Sequence, residues 1–305
     1  MEMNTTEDDA ALQASFENLE PIDVPSAEKG LKEIKQIMDG MGIPFFLHSG
    51  VCLGAIRDNG IMPWDDDLDI GVVIGLNGFT EEVIPSLVSK FRENGFAVSV
   101  IPQDHHISVP LLKDKVRTDL QCHFIVNEQI YHFPGILLPL RLFTDLKEID
   151  FLGDKHLVPN PPEEYLRLKY GEDWVTPKAI GQYEKDVMDL VPEGPLPGRA
   201  GKLKQYIITR FMPWRAARIR VLDFGGRPVA GAEVVVAGFS RARTNSKGYA
   251  KLYIPYNFIF ALSFSFGGHD EVLYEERLVM GKALVYRADA QVKSGRNFIL
   301  TPENG

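Results

Sequence analysis

Cysteine is scarce, long apolar runs are missing, and positive charge is in the minority. Two cysteines, Cys52 and Cys122, stand in 305 residues. They are too few for a disulfide-stapled secreted domain or a four-cysteine zinc site, so a reducing compartment is expected. No run reaches the roughly 18 apolar residues of a spanning helix. The opening MEMNTTEDDAALQASFENLE has no basic region followed by an apolar stretch. A soluble, cytoplasmic protein is the expectation. The 33 Lys and Arg against 42 Asp and Glu give a formal charge of −9, which disfavours nucleic acid as a partner, since non-specific affinity needs a coating of phosphate-neutralising cations. What is present is 45% hydrophobic residues, enough for one large or two ordinary domains in a chain of this length.

Composition and periodicity divide the chain. Residues 1–26 are polar and aperiodic and are expected to be a flexible segment. From Ala27, Leu31, Ile34, Met38 and Met41 recur at helical spacing up to Gly42. Ile43 to Leu47 reads as a buried strand. DLDIGVVIG reads as a second strand whose first residues are acidic on one face. Residues 80–94 look helical. KVRTDLQCHFIV alternates, which places Asp119, Gln121 and His123 on one face of a third strand. VPEGPLPGRAG, rich in Pro and Gly, marks a boundary near 190–201. The 199–220 segment holds Arg199, Lys202, Lys204, Arg210, Arg215, Arg218 and Arg220 without an acidic residue. It reads as a linker helix or as a peripheral contact with an anionic membrane. Short strands separated by GGRP and NSKG turns then follow. FIFALSFSF sets Phe258, Phe260, Leu262, Phe264 and Phe266 on a single face, as in a small sandwich with one side of the sheet in the core.

The most informative stretch is HSGVCLGAIRDNGIMPWDDDLDIGV, where Asp65, Asp66, Asp67 and Asp69 crowd together. In a strand, Asp67 and Asp69 project to one face and can share one or two hard cations, Mg²⁺ or Mn²⁺. Leu68 and Ile70 then face the core. Upstream, Ser49, Gly50 and Gly54 form a turn before Arg57 that can bring backbone amides and a guanidinium against a diphosphate. A phosphate cradle beside a carboxylate pair is what phosphoryl transfer needs.

Together LGAIR, IMPWDDDLDIGV and the later EEYLRLKYGEDWVTP resemble the signature of the LicD family, the fukutin and fukutin-related group of the nucleotidyltransferase superfamily. The resemblance covers roughly residues 27–190. It implies an α+β fold, a nucleotidyltransferase-like mixed sheet with flanking helices. The implied activity is metal-dependent transfer of a phosphorylated alcohol, phosphocholine or a polyol phosphate, from a CDP-linked donor to a cell-surface glycan, free or lipid-linked, with release of CMP. Lipopolysaccharide, capsule and teichoic acid are acceptors of that kind. Carried onto this chain, Asp67 and Asp69 are the metal carboxylates, Asp65 is an accessory acid, and Ser49, Gly50, Arg57 and Trp64 bind the donor. Val51 stands where the family usually has Thr or Ser. The C-terminal part resembles a carboxypeptidase regulatory-like or transthyretin-like β-sandwich.

The expected organisation is therefore a flexible segment 1–26, a catalytic domain 27–190, a linker 191–215 and a sandwich 216–305. The sandwich is expected to be dispensable for donor chemistry. Asp119 is expected beside the Asp67–Asp69 strand as a third metal carboxylate or as the base for the attacking hydroxyl, with an ion pair to Arg117 as the structural alternative. His123 is an accessory phosphate or acceptor ligand, or a buried hydrogen-bonded histidine. Tyr170 and Trp174 either pack a helix end or close one side of the donor pocket. Two further readings remain open, nucleotidyl transfer with release of pyrophosphate and a pseudoenzyme scaffold that binds a glycan or protein.

Overall fold

The computed structural model describes residues 5–17, 20–103, 105–178, 182–191, 203, 206–207, 210–212, 214, 216–254, 258–290 and 296–303. They form two units, one of residues 1–132 and 137–169 and the other of residues 133–136 and 170–305.

The first unit is built on a mixed sheet. Its strands are β1 (Phe46–Leu47), β2 (Asp67–Val73), β3 (Ala97–Val98), β4 (Ile101–Pro102), β5 (His106–Lys113), β6 (Val116–His123), β10 (Lys147–Phe151) and β11 (Asp154–Val158). The order is β10-β11-β1-β2-β6-β5-β3, with β4 also on β5. Strand β2 runs antiparallel to β1 and parallel to β6. Leu68, Ile70 and Val72 of β2 and Leu120 and Cys122 of β6 are buried, and Asp67, Asp69 and Asp119 alternate with them. The period-2 reading of both strands therefore holds.

Helix α2 (Val24–Gly40) begins earlier than its apolar pattern suggested, because the Asp23 carboxylate caps it by accepting from the Ser26 amide at 3.0 Å and Pro25 suits the first turn. Its stripe of Ala27, Leu31, Ile34, Ile37 and Met38 is buried. Helix α4 (Ile84–Glu93) buries Leu87, Val88 and Phe91. The expected strand at 43–47 is shorter, Phe46–Leu47. The N-terminal segment departs from the expectation of a flexible tail. Residues Thr5–Glu17 form helix α1, Leu12 is 2% exposed, and the Ile22 amide donates to the Asp65 carbonyl at 2.7 Å. Its apolar residues are too few to show a period, but burial of Leu12 and that backbone bond tie it down.

The second unit ends in an all-β region of two sheets, β15-β12-β18-β20 and β14-β13-β16-β17-β19. Their strands run from β12 (Ala216–Leu222) through β13 (Glu233–Val236), β14 (Ser240–Arg243), β15 (Tyr249–Tyr253), β16 (Phe258–Phe266), β17 (His269–Leu278), β18 (Ala283–Arg287) and β19 (Arg296–Asn297) to β20 (Thr301–Pro302). One apolar cluster joins Ile219, Val221 and Leu252 of the first sheet to Val234, Leu262 and Phe264 of the second. Phe264 stacks on Tyr286 with centroids 3.9 Å apart. Phe260, Leu262 and Phe264 share the buried face that the FIFALSFSF alternation required.

The unit boundary falls at 169/170, ahead of the Pro/Gly-rich stretch, because α7 (Gln182–Leu190) packs with the sandwich. Tyr183 lies 6.2 Å from Tyr274, and Phe133 lies 5.1 Å from Tyr274. Residues 192–202 lie outside the described residues, and so does much of the basic 199–220 segment, including Arg199, Lys202, Lys204 and Arg215. No helix among the described residues is long and apolar enough to cross a membrane.

Candidate active site

Parallel pairing of β2 with β6 puts Asp67 opposite Arg117 and Asp69 opposite Asp119. Because side chains two apart share a face, three carboxylates and one guanidinium occupy four neighbouring positions on that face. Asp65 and Asp66 arrive from the loop before β2, and one oxygen from each of Asp65, Asp66 and Asp67 lies within 4.8 Å of the others. Arg117 Nη2 donates to Asp66 Oδ2 at 2.8 Å and to Asp67 Oδ2, and its Nε lies 3.5 Å from Asp119 Oδ2. Asp119 thus stands beside the Asp67–Asp69 strand as expected, and it makes the Arg117 contact named as the structural alternative.

Burial and mutual repulsion leave Asp65, Asp66 and Asp69 reluctant to ionise. Burial, then Asp67 and Asp69, pushes Asp65 well above the usual carboxylate range. Burial and Asp67 bring Asp66 to about 6 and Asp69 to about 7. Burial alone would lower the Arg117 guanidinium, yet Asp67, Asp119 and Asp66 together raise it.

Ser49, at φ +41°, opens the short helix α3 (Ser49–Leu53). Its amide donates to Tyr165 Oη at 2.9 Å, leaving the phenol proton for His48 Nδ1, also 2.9 Å away. Its Oγ lies 3.1 Å from His132 Nε2 and also bonds the Asp69 carboxyl. Gly50 has a concrete reason to lack a side chain, because a Cβ there would collide with Asp65 Oδ2. Val51 is buried.

Arg57 is engaged locally. Its Nη2 pairs with Asp58 Oδ2 at 2.7 Å and with Met62 Sδ at 3.2 Å. Trp64, next to the acids, is 57% exposed. His123 is fully buried in a group with His48, His106 and His132, with centroids 5.0 Å from His48 and 5.9 Å from His106. Burial, the main cause, holds His123 down to about 3 and His106 to about 4. These rings are neutral at pH 7, and for His123 the structure shows the burial but, among the described residues, not the expected hydrogen bonds to its ring nitrogens. Tyr170 and Trp174 are buried in the second unit, where Tyr170 packs on Tyr183 with centroids 4.9 Å apart.

Sequence reading missed Lys169, Tyr165 and His132. Lys169 and Tyr165 lie one turn apart on α6 (Pro162–Tyr170), and both are buried. Lys169 Nζ sits 3.0 Å from His132 Nε2. Burial draws its pKa down to about 8 against the opposing pull of Asp69, Asp65 and Asp67. A lysine on the apolar side of EEYLRLKY was the available signal. Arg117 and Lys169 are thus the two cations whose charge acts on Asp69.

The family described as LicD/FKTN/FKRP, nucleotidyltransferase domain, matches residues 42–161. Ribitol-5-phosphate transferase FKTN of Mus musculus is 25% identical over 194 residues, which are 57% of this chain and 39% of that protein. Ribitol 5-phosphate transferase FKRP of Homo sapiens is 25% identical over 146 residues, 44% of this chain and 29% of that protein. The match thus spans less than half the length of either relative. Among solved structures, the antibiotic-resistance factor ANT(2'')-Ia aligns over 54% of this chain and 82% of its own with 14% identity and a TM-score of 0.35. The acidic face of β2 and β6 lies inside residues 42–161, the segment that is similar to the LicD/FKTN/FKRP nucleotidyltransferase domain.

Proposed function

We propose that this chain is a metal-dependent transferase that moves a phosphorylated alcohol from a CDP-linked donor to a hydroxyl of a glycan and releases CMP. The observation that carries the reading is the convergence of Asp67 and Asp69 with Asp119, register partner of Asp69, on one face of the mixed sheet. The relatives' names specify ribitol 5-phosphate, so a polyol phosphate is the first alcohol to test and phosphocholine the second.

The donor set suits Mg²⁺ or Mn²⁺. It consists of hard carboxylate oxygens, and the raised Asp65, Asp66 and Asp69 mark negative charge that a divalent cation would neutralise. Asp67, Asp69 and Asp119 would hold the ion, with Asp65 as an accessory acid, and the bound ion would offset charge on the transferring phosphoryl oxygens. Lys169 adds a fixed cation against the same carboxylates. Ser49 and its network through Tyr165 and His132 fix the turn on which the donor phosphates rest. Trp64 offers an exposed aromatic face to the cytosine or the acceptor sugar. The acceptor oxygen forms its bond to the phosphorus bearing the alcohol while the bond from that phosphorus to the CMP oxygen breaks, and the hydroxyl proton passes to Asp119.

The proposal extends to a cytoplasmic setting at a membrane's inner face. Exposed Leu203, Tyr206, Ile207, Phe211 and Trp214 in the basic segment support peripheral contact there. The test is incubation with CDP-ribitol, CDP-glycerol and CDP-choline in Mg²⁺ or Mn²⁺. CMP release, accelerated by a glycan acceptor, is expected. Pyrophosphate release from CTP and an alcohol phosphate would replace this reading with nucleotidyl transfer, and no turnover with any donor would leave the scaffold.

A further inference from the structure

Arg117 is the arginine on the acidic face of β2 and β6, it is 6% exposed, and its guanidinium is divided between two sets of partners. On one side are Asp66 and Asp67 through Nη2 and Asp119 through Nε, each contacted at its Oδ2 oxygen. On the other side is helix α1. Nη1 donates to the Ser15 carbonyl at 2.7 Å, and the guanidinium carbon lies 4.5 Å from the centre of the Phe16 ring. Helix α1 is fixed by the burial of Leu12, and the chain after it by the Ile22 bond to the Asp65 carbonyl.

We propose that Arg117 is a built-in counter-cation competing with the divalent ion for Asp67 and Asp119, and that helix α1 raises the metal affinity by keeping hold of the guanidinium when those carboxylates turn to the ion. The inference rests on the metal reading of the site. A guanidinium cannot lose its proton at working pH, so its charge opposes a nearby divalent ion under all conditions. A backbone carbonyl and an aromatic face are both good partners for it. Both sets of contacts are made at once without the ion, so Ser15 and Phe16 retain the guanidinium when the carboxylates turn to the ion. Arg117 is accordingly a positioning residue, and Phe16 acts through it.

The test is Mn²⁺ titration by calorimetry, with thermal unfolding with and without Mn²⁺, on the full chain. Arg117→Gln should bind Mn²⁺ about tenfold more tightly, because a like charge is removed close to the ion. It should melt lower without metal and gain more from metal than the wild type does. Phe16→Ala should bind about threefold more weakly, the scale of one lost cation–π contact. Combined with Arg117→Gln, Phe16→Ala should have no further effect. Arg117→Lys, which keeps the charge, should not reproduce the tighter binding. Unchanged Mn²⁺ affinity in Phe16→Ala, or equal weakening in both backgrounds, would overturn the proposal while leaving the metal site in place. Failure of the wild type to bind Mn²⁺ would remove the metal reading and this inference with it. If Arg117→Gln does not fold, Phe16→Ala alone still decides.

Discussion

Asp69 and Asp119 are register partners across the parallel pair β2 and β6, so two carboxylates from distant parts of the sequence stand side by side on one sheet face. Asp67 stands next to them but differs in its company. It pairs with Arg117, whereas Asp69 bonds Ser49 and is raised to about 7 by burial and by Asp67. Asp67→Asn and Asp69→Asn are therefore expected to agree in activity and differ in stability. Each should cut turnover by about a hundredfold or more. In metal-free buffer Asp69→Asn should melt at or above the wild type, because a repelled charge is gone. Asp67→Asn should melt lower, since it weakens the hold on a buried guanidinium, a loss of about 1–3 kcal/mol. Calorimetric midpoints check this, and identical midpoints would mean that the Arg117 pair is not formed in solution.

Much of this site was legible in the sequence. Period-2 alternation in DLDIGVV and VRTDLQCH fixes which residues share a face, and the dense run of Asp stands out because apolar and Gly residues bracket it. Arg117 was visible as a partner for Asp119 for the same reason. Lys169, Tyr165 and His132 were not legible, because what brings them to Ser49 is the packing of α6 and the strand β8 (Gln129–His132) against residues about a hundred positions away. No local pattern encodes such contacts. Helix α1 was missed because Leu12 and Phe16 are a sparse stripe in a polar stretch, and its burial is a tertiary fact.

Gly50 gives a prediction about shape. An alanine Cβ there would collide with Asp65 Oδ2 and lie 3.4 Å from Met62 Cε, so the Asp65 carboxyl must swing away from the acidic group. Gly50→Ala should cost about 1–3 kcal/mol, as overpacking does, and should weaken Mn²⁺ binding. Gly60→Ala, whose added Cβ meets nothing within 4 Å, serves as the control and should leave both unchanged. Equal behaviour of the two variants would show that Asp65 does not occupy this position.

The pH dependence of metal-free stability should combine two opposing slopes. Asp66 and Asp69 are raised to about 6 and about 7, so between the unfolded carboxylate range near pH 4 and pH 7 the native state holds more protons, and stability falls as pH rises. His106 and His123 are held down to about 4 and about 3, below the unfolded value near 6.5, so the unfolded state binds more protons there and stability rises with pH. Urea unfolding at intervals from pH 4 to pH 7 separates them. Asp69→Asn should make stability climb more steeply with pH, and His106→Gln should make it climb less. If both variants shift the slope in the same direction, one of the two buried groups is wrongly described.

The last prediction concerns where the chain can be cut. The sequence places a natural end at the Pro/Gly-rich stretch, which makes residues 216–305 look removable. The structure gives a reason to expect otherwise. Strand β17 supplies Tyr274, whose ring meets Phe133 edge-on at 87° and 5.1 Å and Tyr183 of α7 at 6.2 Å. It also supplies Asp270, 3.7 Å from Lys185, and Val187 on the same helix is fully buried. The ion pair is exposed and contributes little, but the aromatic contacts bury apolar surface at about 25 cal/mol per Å². A chain ending at 215 would leave Phe133 and Tyr183 without the Tyr274 ring. Such uncovered apolar surface promotes association. The truncated chain should therefore elute as soluble aggregate in size-exclusion chromatography and lose residues 182–191 to limited proteolysis, whereas the full chain protects them. A monomeric truncation with α7 still protected would show that the sandwich is independent of the α7 segment and would restore the boundary read from composition.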